Sequence, residues 1–294
     1  MSKTLINSPN SFVTFYNLNN PPENSGYITD TSCGIQKDFC YPIYDENDLA
    51  FQFNIASDEE LTSSNIVVNR DTGGGAEQVA SVTIEVNDFG IYNGSTPIYN
   101  IYLNFSGSEL TANLNDGDCF TITIVAGTNE AELIYLISNQ CFKKIDDTCL
   151  TTRLKYVNTS NAFGFNYFSY GTFPLIAVNN NVLRLPFYLK NPQNIPNNEV
   201  YVRSNGARKL LSSWISKKYK AFIDEVPEQV HQDLVIALSH DGVFFKTEEF
   251  DEMQVVFEDE YNDNWPEIMQ NVNIWSADFS IFVTPFNNFN SNCG

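Results

Sequence analysis

Leu49-Ala50-Phe51-Gln52-Phe53-Asn54-Ile55 alternates large apolar side chains with small or polar ones, and this period of two decides the fold. Successive strand residues point to opposite faces, so Leu49, Phe51, Phe53 and Ile55 share one face while Ala50, Gln52 and Asn54 share the other. The same period returns at Val82, Ile84 and Val86, at Tyr99, Ile101, Leu103 and Phe105, and at Phe120, Ile122 and Ile124. One face of each strand is therefore expected in a core. Turn-forming residues separate these runs at Asn93-Gly94-Ser95, Ser106-Gly107-Ser108 and Asp116-Gly117-Asp118. An antiparallel sandwich follows more directly than alternating β/α units, and no helix is expected before residue 140.

Around Ser138 to Thr151 the pattern changes, with Lys143-Lys144 and Asp146-Asp147 side by side before strand alternation resumes. The expected organisation is an acidic β-sandwich domain over 1–148 and a second β-sandwich domain over 149–294. Leu183, Leu185, Phe187 and Leu189 share one face of a strand, and Pro186 marks an edge position. Asn205-Gly206 suits a type I′ hairpin turn, whose arms lead into a third strand from Ile215 to Asp224. Pro227 to Ser239 reads as the single strong helix, with Val230, Leu234, Val235 and Leu238 on one stripe facing the sheet. From Val272 to Val283 the apolar parity switches, which predicts a bulge near Ile274-Trp275. The fold class is thus mainly β: two β-sandwich-like domains, the second with one α-helix on its sheet.

The chain has 294 residues, 43% of them hydrophobic and 18% charged, which fits a folded protein with a large core. Its 36 Asp+Glu against 16 Lys+Arg give a net charge of −20, which argues against a surface built to grip nucleic-acid phosphates or an anionic bilayer. Residues 1–150 hold 20 acids and 5 bases, a balance of −15, whereas 151–294 hold 16 and 11, a balance of −5. The halves carry different electrostatic tasks. No secretory leader is read at the N-terminus and no apolar run has membrane-spanning length, so a soluble chain is expected.

The six cysteines, Cys33, Cys40, Cys119, Cys141, Cys149 and Cys293, are too sparse for a disulfide scaffold and lack zinc-knuckle spacing. Reduced thiols and no metal are expected. Arg70-Asp71-Thr72-Gly73-Gly74-Gly75 has neither the Lys-Ser/Thr nor the following helix of a phosphate loop, and reads as a hairpin tip or an arm between subunits. His231 lies beside the helix stripe and His240 at the helix's negative end, which suits packing and capping better than catalysis. Asp45-Glu46-Asn47-Asp48, Asp116-Gly117-Asp118 and Glu258-Asp259-Glu260 are acidic clusters without a calcium-loop pattern. A glycosidase would need two such carboxylates at a defined separation, and a sugar binder would need an exposed aromatic platform from Trp214, Trp265 or Trp275. No catalytic residue, cofactor or metal is assigned.

The basic residues gather at Arg203, Arg208, Lys209, Lys217, Lys218 and Lys220, a segment read as a hairpin and its adjoining strand. They would form a positive band complementary to Glu248, Glu249, Asp251 and Glu252, and to the acids from Glu258 to Asp263. Such complementarity orients subunits in a ring or hetero-complex. The plainer alternative is a scatter of surface lysines.

Four stretches carry a resemblance: CFTITI (119–124), SNQCFKKIDDTCLTTRLKYVNTSNAFGFNYF (138–168), VLRLPFYLKNPQ (182–193) and VYVRSNGARKLLSSWISKKYKAFIDEVPEQVHQDLVIALSHDGV (200–243). Together they resemble virion tail proteins of phages infecting Bacteroidetes, in particular tail hub and ring components of crAss-like phages. The resemblance spans roughly residues 118–245, with a weaker echo in CYPIYDENDLAFQFNI (40–55). It implies a non-enzymatic β-sandwich building block of the virion tail, assembled in the host bacterial cytoplasm. The implied partners are further copies in a closed ring, other tail, portal or ring proteins, and DNA as a passing polymer that is not gripped; no membrane is implied. The alternative reading is a carbohydrate-binding or adhesive β-sandwich.

Overall fold

The computed structural model describes residues 3–6, 12–17, 39–127, 134–138, 141–157, 181–240, 242–247, 251–257, 261–264 and 274–283. Strands dominate them, with one α-helix, so the protein is mainly β and sandwich-like. The first strands are β1 (Lys3–Ile6), β2 (Phe15–Asn17), β3 (Cys40–Ile43), β4 (Ala50–Ser57), β5 (Ile66–Asp71) and β6 (Ala76–Gln78). They are followed by β7 (Thr83–Asn93), β8 (Thr96–Asn104), β9 (Cys119–Ala126), β10 (Ile134–Ser138) and β11 (Cys141–Lys144). The second half holds β12 (Thr152–Val157), β13 (Asn181–Leu185), β14 (Phe187–Val202) and β15 (Arg208–Pro227), then α1 (Glu228–Leu238). The last are β16 (Gly242–Lys246), β17 (Met253–Phe257), β18 (Asn262–Asn264) and β19 (Ile274–Val283).

A smaller sheet runs β2-β10-β9-β11-β3, with β5 on the other side of β9 and β6 beyond it. It packs on the β4–β8 face through the rings of Phe15, Phe51 and Phe53, with centroids 5.5 and 5.2 Å from Phe15. The larger sheet runs β14-β15-β19-β17-β16-β12-β13-β4-β8-β7, all antiparallel. The expected division at 148/149 falls in the turn between β11 and β12, where Leu150 takes φ 62°. Sheet and core both run across that point: β13 meets β4 at Val182 and Ala50, and Phe12 packs on both Tyr41 and Tyr156.

Pro186 does more than mark an edge. It separates β13, which pairs with β12, from β14, which pairs with β15, and these lie at opposite ends of a seven-strand stretch of the large sheet. A proline offers no N–H to a ladder, so the chain turns out of one pairing and into another there. Phe187 then packs on Phe245 of β16 and Phe279 of β19 at 5.1 and 5.9 Å, inside the curl of strands. Helix α1 adds Val230, Leu234 and Leu238 to this core, as expected from its spacing, and Ala237 takes the place expected for Val235, which is half-buried. His240 Nδ1 stands 2.8 Å from the Ile236 carbonyl oxygen at the helix end, and His231 Nδ1 is 2.5 Å from the Tyr261 hydroxyl.

Four local expectations change. The hairpin at Arg203 has a three-residue loop: the Gly206 N–H donates to the Arg203 carbonyl, the Arg203 N–H to the Ala207 carbonyl, and only Gly206 is left-handed, at φ 80°. A type I′ turn would need Asn205 left-handed as well, so the loop is a type I turn followed by a glycine bulge. The bulge opposite Trp275 lies in β15, where Ile223 and Val226 face Ala277 and Trp275, so β15 and not β19 carries the extra residue. β15 is also one strand of 20 residues with no break before Ile215. Finally, β4 is buried on both faces, because it is central in its sheet and Tyr102 and Val182 cluster with Ala50 on the polar-patterned side.

Candidate assembly interface

The β14–β15 pair is longer than the sheet it belongs to. β15 meets β19 only from Lys217 onward, so among the described residues Arg208–Ser216 pairs with β14 alone and the two strands continue as a ribbon. A two-stranded ribbon has no second layer to cover it, and both its faces are wet. Val200, Tyr201, Val202, Leu210, Leu211 and Ile215 are 46–61% exposed there. Cross-strand partners share a face, so Val200, Leu210, Val202 and Arg208 lie on one side of the tip, and Tyr201 and Lys209 on the other. Exposed apolar side chains grouped on one projection mark an interaction surface.

The six predicted basic residues split into two groups. Arg203 sits in the tip loop with Arg208 and Lys209 beside it, all exposed and without an ion pair among the described residues. Lys217, Lys218 and Lys220 stand at the base, roughly 30–40 Å from Arg208 at ~3.4 Å per strand residue. There Lys218 lies 5.1 Å over the Phe282 ring and Lys220 bonds Asp278 at 2.8 Å. No single band runs along the segment. The predicted acidic counterpart is also occupied within the chain: Glu252 bonds Arg153 at 3.1 Å and Lys155 at 2.6 Å, and Asp251 bonds Lys246 at 3.0 Å. That hydrogen bond from Lys246 holds the Asp251 carboxyl below the usual carboxylate range. Glu248, Glu249 and the cluster from Glu258 to Glu260 lie outside the described residues, as does Trp265; the platform test on Trp214 and Trp275 rests on side chains that also lie outside them.

The other acidic clusters close turns. Asp45 accepts from the Asn47 N–H, Glu46 from the Thr111 N–H and hydroxyl, Asp118 from the Asn115 N–H, and Asp116 from the Asp146 N–H. The Gly73–Gly75 run is the tip of the β5–β6 hairpin, and Arg70 at its base is buried, donating to the Leu110 and Ala112 carbonyls and pairing with Glu77. A cleft of about 500 Å³ opens between the halves, lined by Tyr44, Asp48, Arg153, Arg184 and Lys246. Its cations are already matched: Arg184 with Asp48, Arg153 with Glu252, Lys246 with Asp251.

The cysteines correct the expectation of reduced thiols. Parallel pairing of β3 with β11 sets Cys40 opposite Cys141, with Cα atoms 4.5 Å apart, and the two form a disulfide. Cys119 on β9 stands on the other side of β11, so the three sulfurs lie within 4.8 Å of one another. Burial pushes the Cys119 thiol up, against the pull of Lys143. Their sequence separations carry no trace of this cluster; only the strand register creates it. No known family model, curated protein or solved structure matches the chain. No helix among the described residues is long and apolar enough to cross a membrane.

Proposed function

We propose that this chain is a non-enzymatic structural protein of a tailed-phage virion, a hub or ring subunit that closes into an oligomer around the DNA channel and connects the portal side to the tail. The projecting β14–β15 ribbon carries the reading. Six large apolar side chains held in water on an arm are costly to a monomer and useful to a subunit whose neighbour covers them. The chain's acids support the second part: residues 1–150, at −15, facing a lumen repel DNA phosphates and let the genome slide without sticking. The virion is accordingly the place of action, with assembly in the host cytoplasm.

Mass photometry and negative-stain imaging of the purified full chain test this directly. The expected result is a discrete closed oligomer with a central opening that disappears when Asn198–Ser213 is replaced by a two-residue Asn-Gly turn between the paired Asn197 and Trp214. A monomer at all concentrations, or an oligomer indifferent to loss of the arm, overturns it. A ring whose lumen proves neutral or basic overturns the sliding argument.

A further inference from the structure

At the far end of the large sheet from β14, strand β7 has no partner on its outer side among the described residues. Its Thr83–Asp88 stretch pairs with β8 in unbroken register, and the bulge at Asp88–Ile91, with Gly90 at φ 69°, comes only after it. Beside this stretch lies a groove of about 520 Å³. Leu61, Ile84, Val86 and Tyr99 make its floor, Leu61 and Tyr99 buried and Ile84 and Val86 half-buried. Glu60 and Asp88 are exposed on its rim, close enough to help raise the pKa of the Tyr99 hydroxyl.

The charged side chains that line this groove among the described residues, Glu60 and Asp88, are both acidic. The arm is its complement. Between Asn191 and Ser216 the only acid is Glu199, held by the Ser212 hydroxyl, against Arg203, Arg208 and Lys209 at the tip. The arm also bears the exposed aliphatic side chains that the groove floor lacks a cover for.

Resting on the assembly reading above, we infer that the arm tip of one copy seats in the β7 groove of a second copy. Val200, Val202 and Leu210 cover the half-buried Ile84 and Val86, and Arg203 and Arg208 face Glu60 and Asp88. Arm and groove are different surfaces, so the contact is head-to-tail and propagates around a ring instead of stopping at a dimer. The open edge of β7 and the ribbon's own strand edges allow main-chain pairing to add to it.

Charge reversal in the full chain tests the seat. Glu60→Lys with Asp88→Lys, or Arg203→Glu with Arg208→Glu, each weakens assembly on the order of 100-fold, and all four together restore it to within about tenfold of the unaltered chain. Circular dichroism and thermal melting of the variants, unchanged because all four side chains are exposed, separate this loss from misfolding. If the arm variant dissociates while the groove variant assembles normally, the arm is the assembly element but its seat lies elsewhere, which overturns this inference and leaves the ring intact. Failure of the combined variant to recover, or a chain monomeric up to ~1 mM, also overturns it.

Discussion

Arg184 grips Asp48 with both ends of its guanidinium, Nε to Oδ2 at 2.6 Å and Nη2 to Oδ1 at 3.0 Å, across 136 residues of sequence. Both side chains are at most 5% exposed. Asp48 also accepts the Tyr44 N–H at 2.8 Å, and Arg184 reaches the Thr151 hydroxyl at 3.0 Å, so neither charge is left with idle valence. The pair sits where β13 of the second half joins β4 of the first through a single residue pair, and fixes that thin join. Removing one partner strands the other charge in a buried site, which costs about 3–5 kcal/mol. Asp48→Ala and Arg184→Ala are each expected to lose that much in urea unfolding, while Asp48→Leu combined with Arg184→Met loses far less. Equal losses in the single and combined variants would show that the pair does not act as a unit.

The Cys40–Cys141 disulfide closes a loop with a sequence separation of 101. By chain entropy such a loop is worth about 4–5 kcal/mol relative to the open chain. Replacing both cysteines by serine is expected to lower stability by about that amount and to leave Cys119 as the remaining thiol of the cluster. Peptide mapping after iodoacetamide checks the pairing, since Cys40 and Cys141 should label only after reduction whereas exposed Cys149 labels before it.

The arm and the sheet beneath it should open on different timescales. Residues 198–212 rest on one ladder with solvent on both faces, whereas Ala221 and Ile223 are fully buried between β14 and β19. Hydrogen exchange read by mass spectrometry is expected to be fast for the arm in the monomer, slow for 219–223 in every state, and slow for the arm once assembled. An arm equally protected in monomer and oligomer would mean that no neighbour covers it.

Tyr102 gives the clearest pH signature. Burial, helped by the Glu85 carboxylate, raises its hydroxyl from the ordinary 10.0 to about 12. Between those values the unfolded chain has lost the proton and the folded one has kept it, so Tyr102 makes folding less favourable as pH rises, by roughly 1.4 kcal/mol per pH unit. Its contribution is complete below pH 10 and gone above about 12. Tyr102→Phe is expected to flatten the alkaline fall in stability over that window. Absorbance at 295 nm should show one fewer late-ionising tyrosine.

Local pattern alone carried much of the fold. Period-two runs at 49–55, 99–105 and 120–124 place their apolar faces in the core because alternation is a property of the strand itself. The α1 stripe and the hairpin centred on Gly206 were legible for the same reason: spacing and turn chemistry act within a few residues. The two faces of β4, the disulfide and the buried ion pair were not legible, since each depends on which distant strand lies alongside. Asp48 looks like one member of an acidic run, and only its position one strand away from Arg184 makes it different from Asp45.

The interface was half-readable. Sequence located the basic residues but could not say that β15 outruns β19, which separates the tip from Lys217, Lys218 and Lys220. It offered Asp251 and Glu252 as their counterpart, whereas folding gives those acids to Lys246, Arg153 and Lys155. By itself, then, the sequence determined a mainly β, strongly acidic chain with a basic hairpin. Tertiary structure decided that the hairpin stands clear of the sheet, that the two halves share one core, and which carboxylates are already paired. Alternation and net charge are written residue by residue, whereas strand order, register and desolvation exist only once remote segments meet.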